Sequence, residues 1–340
     1  KLYLALFGQF DFASPFFTLF VKLPGIAGDF LLAWTVWRFA RRLAGEFPGL
    51  LAGFSILFHP AIFYVSAVWG QTDSLHSAFL VMAIDSLTAQ KFPQSWIFWL
   101  LAVLSKLQSI ALLPLLALRT WRERGALNLA ATLLAAIFAG IALTLPFTLA
   151  HPLALWNSLL WNASRFPFLT LNAINIWWPL DRALGGFAPD TIYFLPDVSA
   201  RLVGLALWAL AIVLVLLRLR RNASGTETLA AAAALALAFF LFPTQMHERY
   251  LYPAVPFLLL LALKRRLGWL IFGAVSIIFM VNLTVVLPLF SRQAAMSGAT
   301  PVWNAPGINI FWLALLVCFF LLVRMSREGR KEKIADKINA

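Results

Sequence analysis

Charged side chains are scarce in this sequence. Only 12% of its 340 residues are Asp, Glu, Lys or Arg, about half the share of an ordinary soluble domain. Cysteine is rarer still: the single Cys318 lies in an apolar run, which rules out an internal disulfide and makes thiol chemistry a poor guess. No HExxH, paired-cysteine or DxD pattern occurs, so no dedicated metal cage is indicated, and without a GxxxxGK[ST] loop a nucleotide-driven pump is disfavoured. What the chain has instead is apolar length. Hydrophobic residues make up 62% of it, at a mean hydropathy of +0.85. Its apolar runs reach the roughly 20 helical residues that cross a hydrocarbon core, and they lack the alternation of a barrel strand. The fold class expected is all-α, a polytopic transmembrane helical bundle.

Apolar periodicity predicts helices at about 18–41, 47–68, 72–90, 95–118, 126–147, 198–218, 227–243, 250–263, 268–290 and 308–325, some ten spans in a single domain over 1–325. The net charge of +13 would suggest nucleic acid in a soluble protein. Here the basic residues gather in short loops, at Arg38, Arg41 and Arg42, at Arg119, Arg122 and Arg124, at Arg218, Arg220 and Arg221, at Lys264, Arg265 and Arg266, and in the tail, which runs as a charged segment over 326–340. That is the positive-inside pattern: these loops and the tail are expected in the cytoplasm, with membrane lipid rather than nucleic acid as the bulk partner. The localisation expected is a cell membrane, crossed many times.

Sidedness conflicts at one place. Counting crossings from Arg42, a single span over 95–118 would put Arg119 outside. Two half-helices forming a re-entrant hairpin, with its tip near Ser105-Lys106-Leu107-Gln108, remove the conflict, and irregular backbone at membrane depth survives only where protein or a water-filled cavity covers it. The competing arrangement is one tilted helix with Lys106 snorkelling. Either way the polar strings Trp69-Gly70-Gln71-Thr72-Asp73-Ser74 and His247-Glu248-Arg249-Tyr250 fall at the outer surface. A loop over about 148–197, rich in Trp and Asn, lies there too, and its start at 152–163 reads as an interfacial amphipathic helix.

Intramembrane and membrane-edge charges each need a reason. Lys22 and Asp29 lie seven apart on one helical face; Lys22, nearer the outer end, could reach a phosphate, and Asp29 is expected to pair with another helix. Asp73 opens a helix, where an N-cap role competes with a functional one, and Gly70 and Gln71 beside it make a cluster that a plain turn does not need. Arg249 can fork onto phosphate oxygens while His247 donates a further hydrogen bond or moves a proton; the competing reading is a solvated turn with Glu248 and Arg249 paired. His59 and His76 read as core histidines bonded to carbonyls, and Asp85 as structural.

Four strings, "HPAIFYVSAVWGQTDSLHSAFLV", "LSKLQSIALLPLLAL", "RFPFLTLNAINIWW" and "MHERYLYPAVPFLLL", resemble in this order the recurring motifs of bacterial and archaeal GT-C glycosyltransferases. These multi-pass enzymes are similar to the eukaryotic enzymes of the endoplasmic reticulum that use dolichol-linked sugars. The resemblance runs from about Leu19 to Leu263. It implies a polyprenyl-phosphate-linked sugar, of the mannose or glucose class, as donor, and a glycan or lipid-linked acceptor. His247, Arg249, Lys106 and Lys22 would bind the donor phosphate, and Gly70, Gln71, Asp73, Gln108, Asn172, Asn175, Trp177, Glu248 and Tyr250 would line the cleft. The implied chemistry is inverting transfer on the extracytoplasmic face; no cofactor is required, and assistance by a divalent ion stays open.

The sequence departs from that family in one respect. The family's catalytic carboxylate is expected in a first outer loop, upstream of Lys1, and the chain reads as the continuation of a longer protein. Asp11 and Asp73 are the only weak candidates for a catalytic base, and "GQFDF" around Asp11 matches the motif poorly. Two other readings remain: a transporter or lipid-linked-glycan flippase using Lys22, Asp29 and Lys106, which predicts a second half-helix pair as inverted repeats give, and a non-catalytic subunit that binds polyprenyl phosphate.

Overall fold

The computed structural model describes residues 8, 11, 13–154, 156–158, 165–286 and 307–327. Helices dominate it: α1 (Pro15–Ala44), α2 (Glu46–Leu57), α3 (Pro60–Phe63), α4 (Asp73–Thr88), α5 (Phe92–Ser105), α6 (Leu113–Arg124), α7 (Ala126–Ala150), the short α8 (Trp178–Ala183), α9 (Ala200–Arg218), α10 (Gly225–Leu241), α11 (Ala254–Ala262), α12 (Arg266–Val281) and α13 (Phe311–Met325). A π-helical turn, Tyr64–Val68, prolongs α3, and another, Asn282–Val286, prolongs α12. The little strand present forms two ladders. Strand β1 (Thr170–Leu171) pairs in parallel with β4 (Met246–His247), and β2 (Tyr193–Leu195) pairs antiparallel with β3 (Val198–Ser199).

Among the described residues a helix falls in each expected segment, and length and composition set apart those able to cross a membrane. Four helices are long and apolar enough to cross a membrane: α1, α7, α9 and α12 with its π-turn. α2 and the segment 60–68, bent by 44° at the join, make a fifth if the pair is counted as one span. The bend has a local cause: Pro60 cannot donate a backbone N–H, and it holds His59 extended, at φ −66° and ψ 121°. Other apolar runs are shorter. α11 has nine residues, about 14 Å of helix, and all nine are buried. It is a half-length core helix surrounded by protein.

Packing follows from side-chain size. α10 is nearly pure Ala and Leu over its middle, begins with a capping box between Ser224 and Glu227, and is buried along almost its whole length. Small side chains let α9, α11 and α13 approach it from several directions. α1 does the same with glycine: a Cβ on Gly25 would lie 2.5 Å from the Gln71 carbonyl oxygen, and one on Gly28 2.5 Å from Ser74 Oγ. The helix backbone therefore rests directly on segment 71–75. Ser74 Oγ donates to the Gly25 carbonyl at 2.9 Å and ties the two.

Residues 92–124 reverse direction. Lys106 takes extended backbone angles, a 3-10 turn follows over Leu107–Leu112, and Trp96 Nε1 donates to Thr120 Oγ1 at 2.9 Å across the hairpin. The reversal sets two ends of the molecule apart. At one end, Arg42 bonds Asp85 at 2.9 Å, Arg119 the Ala223 carbonyl at 2.9 Å and Arg122 the Leu219 carbonyl at 2.7 Å. Asp73 and Lys106 lie at the other, separated from it by the 16 residues of α4, about 24 Å.

Candidate functional site

Asp73 is the first residue of α4, and Thr72 is the residue that occupies the cap position. Its carboxylate is fully buried, yet neither oxygen has a hydrogen-bond donor in bonding geometry among the described residues. It does not cap the helix. Three groups surround it instead: Lys106 Nζ at 2.7 Å and Arg249 Nε at 3.9 Å from Oδ2, and His76 Nε2 at 3.7 Å from Oδ1. The hairpin break delivers Lys106. The turn after α10 delivers Arg249, which lies over the Trp69 ring at 5.0 Å and donates to Glu248 Oε1 at 3.1 Å.

His76 anchors the floor. The Gln108 amide lies 2.7 Å from His76 Nε2, Ser109 Oγ lies 3.1 Å from Nδ1, and the Ser109 hydroxyl donates to the Ala102 carbonyl at 3.1 Å. The expected carbonyl partner is therefore corrected for His76, and for His59 as well, whose Nε2 meets Ser276 Oγ at 3.0 Å. An i,i+3 spacing puts Asp73 and His76 on one helix face, a signal present in the sequence.

His247 and Glu248 sit in the segment between α10 and α11. Burial, together with the adjacent Arg249 guanidinium, pushes the His247 imidazole down to about 3, so it is neutral near pH 7. Burial pushes the Glu248 carboxyl up, against the pull of Arg249. Aromatic edges flank His247: Phe166 at 5.5 Å and Tyr250 at 5.1 Å between ring centroids.

The segment 165–199 braces this turn. Asp190, fully buried, accepts from Arg201 Nε at 2.9 Å, Thr244 Oγ1 at 3.0 Å and Gln245 Nε2 at 2.8 Å. Asn175 Nδ2 donates to the carbonyls of Phe240 and Pro243, and Trp177 Nε1 to that of Phe242 at 2.7 Å. The polar atoms of Asn175 and Trp177 are thus occupied by main chain rather than directed at the cluster. Asn172 forms a main-chain bridge with His247. The helix expected at 152–163 falls largely outside the described residues.

The remaining expected residues divide between the cluster and its surroundings. Gly70, at φ +83°, turns the chain beside Lys22, whose Cγ would touch a Cβ at that position, at 3.3 Å. Gln71 sends its N–H to the Val65 carbonyl at 2.9 Å. Gln108 and Tyr250 line a narrow crevice with Leu80, Ala111, Leu112, Ala236, Phe239 and Pro253, apolar apart from those two heads. Asp29 is buried a helix away and accepts from Ser66 and from Tyr252 Oη at 3.4 Å. Asp11 is exposed and accepts from the Ala13 N–H, with no contact to the cluster among the described residues.

The structure thus brings together Asp73, Lys106, Gln108, His247, Glu248, Arg249 and Tyr250, with Lys22 and Gly70 alongside. His76, read from the sequence as a core histidine, joins them with Ser109, and Asp190 and Arg201, not singled out from the sequence, brace the turn that carries Arg249. Compared with known proteins, the chain matches no protein-family model and no curated sequence.

Proposed function

We propose that this protein is a multi-pass membrane glycosyltransferase of the GT-C type, whose Lys106 and Arg249 hold the phosphate of a polyprenyl-phosphate-linked sugar. The observation that carries the reading is the buried Asp73 carboxylate with Lys106 at 2.7 Å and Arg249 at 3.9 Å, at the end of the bundle away from the arginine clusters. By the positive-inside rule that end is extracytoplasmic, and the 92–124 hairpin is then a re-entrant element entering from the cytoplasmic side.

Charge supports a phosphodiester ligand. Lys22, Lys106 and Arg249 against Asp73 and Glu248 leave a single excess positive charge. A lysine has three donors and an arginine five, so both cations keep donors free after meeting their carboxylates. In the transfer, the acceptor oxygen bonds to the anomeric carbon as the bond from that carbon to the phosphate oxygen breaks, and the acceptor's hydroxyl proton ends on the released lipid phosphate monoester or in solvent; Lys106 and Arg249 stabilise the charge arriving on the departing lipid phosphate. Asp73, held between two cations, is a weak base, and it positions them. The apolar lining around Gln108 and Tyr250, sequence neighbours of Lys106 and Arg249, supports an amphiphilic donor.

The test is binding of polyprenyl-monophosphate hexoses to the purified protein in lipid nanodiscs. Saturable binding that Arg249→Ala and Lys106→Ala each weaken supports the reading. A folded wild-type protein that binds none of these lipids sinks it and favours a transporter.

A further inference from the structure

Beside the charged cluster lies a side chain with nothing to do in the fold. The Asn172 Oδ1 atom is closed off from solvent and has no hydrogen-bond partner, and no bond is made by its Nδ2 among the described residues. A buried polar atom without a partner costs about 1–3 kcal/mol, so something besides folding accounts for it. The backbone at Asn172 is left-handed, at φ +66°, a conformation asparagine adopts more readily than most residues. Asn282 holds it there: Nδ2 donates to the Asn172 carbonyl at 2.6 Å while Oδ1 accepts from the Ile174 N–H at 2.9 Å. Asn282 opens the π-helical turn at the end of α12, and such turns gather at functional sites.

The neighbour across the main-chain bridge is His247. No hydrogen bond is made by its ring among the described residues; its charged neighbours are Glu248, Arg249, Asp73 and Lys106. It sits between the edges of Phe166 and Tyr250. An unpartnered carboxamide, which is donor and acceptor at once, on a residue bridged through its main chain to a histidine that aromatic rings flank, suits a polyhydroxylated ring: adjacent hydroxyls meet the amide while the C–H face meets the aromatics. Phosphate does not need this apparatus, since an anion has no proton to give Oδ1.

We infer that Asn172, with His247, recognises the hydroxyls of the transferred sugar, and that Lys106 and Arg249 take the phosphate. This rests on the glycosyltransferase reading and assigns the sugar specificity within it. It also moves His247 from the phosphate to the sugar.

The experiment compares two probes on the purified full chain in nanodiscs, polyprenyl monophosphate and the same lipid carrying a hexose. Asn172→Gly removes the carboxamide and tolerates the positive φ. Asn172→Asp, which also tolerates it, loses the amide donor and serves as the second variant. Asn172→Gly is expected to weaken the sugar-bearing lipid about tenfold or more, as loss of two hydrogen bonds does, Asn172→Asp by about fivefold through the one donor it loses, and both to leave the bare lipid within about twofold. Arg249→Ala should weaken both lipids. Equal weakening of both lipids by Asn172→Gly and Asn172→Asp, or no effect on either, overturns the inference while the phosphate site stands. A wild-type protein that binds neither lipid overturns the inference together with the function it rests on.

Discussion

Lys106 Nζ lies 2.7 Å from Asp73 Oδ2 across the gap between a hairpin tip and a helix start. The carboxylate is fully buried and the lysine side chain 21% exposed. Such a pair holds two elements in register because neither charge tolerates the other's loss.

Lys106→Met should therefore cost stability, by about 3 kcal/mol or more, since it leaves Asp73 buried against only the more distant Arg249. Lys106→Met combined with Asp73→Asn should recover most of that loss and still fail to bind a lipid phosphate. Thermal unfolding in detergent, read beside lipid binding, separates the two effects. Equal stability of wild type and Lys106→Met would contradict this.

Asp190 should act through the turn it braces. Asp190→Ala strands Thr244 Oγ1 and Gln245 Nε2, a loss of about 1–3 kcal/mol locally. Hydrogen exchange should speed up over 244–249 while α10 stays protected. Uniform acceleration across the chain would make Asp190 a general stability residue instead.

The His247 imidazole titrates near 3, below its ordinary 6.5. A folded-state value below the unfolded one means that its contribution to stability is complete above pH 6.5 and is lost as pH falls toward 3. His247→Gln should flatten the fall of melting temperature between pH 6.5 and 4.5. In wild type the imidazole resonances should show a neutral ring at pH 5; a charged ring there would refute the assignment.

Sidedness is open to labelling in a Cys318→Ser background. Leu195→Cys lies on exposed β2, and Asn222→Cys in the exposed turn after α9. An impermeant maleimide on intact cells should label the first and reach the second only after permeabilisation. The reverse order would place the Asp73 cluster in the cytoplasm.

Much of this arrangement could be read from residue order, for reasons that differ by element. Lys106 and Arg249 stood out because a charge at the edge of an apolar run needs a partner, and Asp73 proved to be that partner for both. The hairpin followed from counting crossings around Arg119. Helix length did not follow: the run over 250–263 is apolar enough for a span, and only packing shows that α11 is nine residues buried on every side. Asn175 and Trp177 were legible as polar and aromatic, but their bonds to the carbonyls of 240–243 are made at a separation of more than 60 residues. Asp190 and Arg201 carry no local pattern at all, because a hairpin joins them. His76 was readable from its spacing to Asp73, although histidine in an apolar helix is usually a core residue.

The central claim is that a lipid phosphate rests on Lys106 and Arg249 at the end of the bundle opposite the arginine clusters. The most direct measurement is photocrosslinking with a polyprenyl monophosphate that carries a diazirine close to its phosphate, followed by peptide mapping. The account predicts labels in 69–73, 106–112 and 245–253, competed by unlabelled lipid and lost in Arg249→Ala. Labels confined to the arginine end, at 38–42, 119–124 and 218–221, would contradict it.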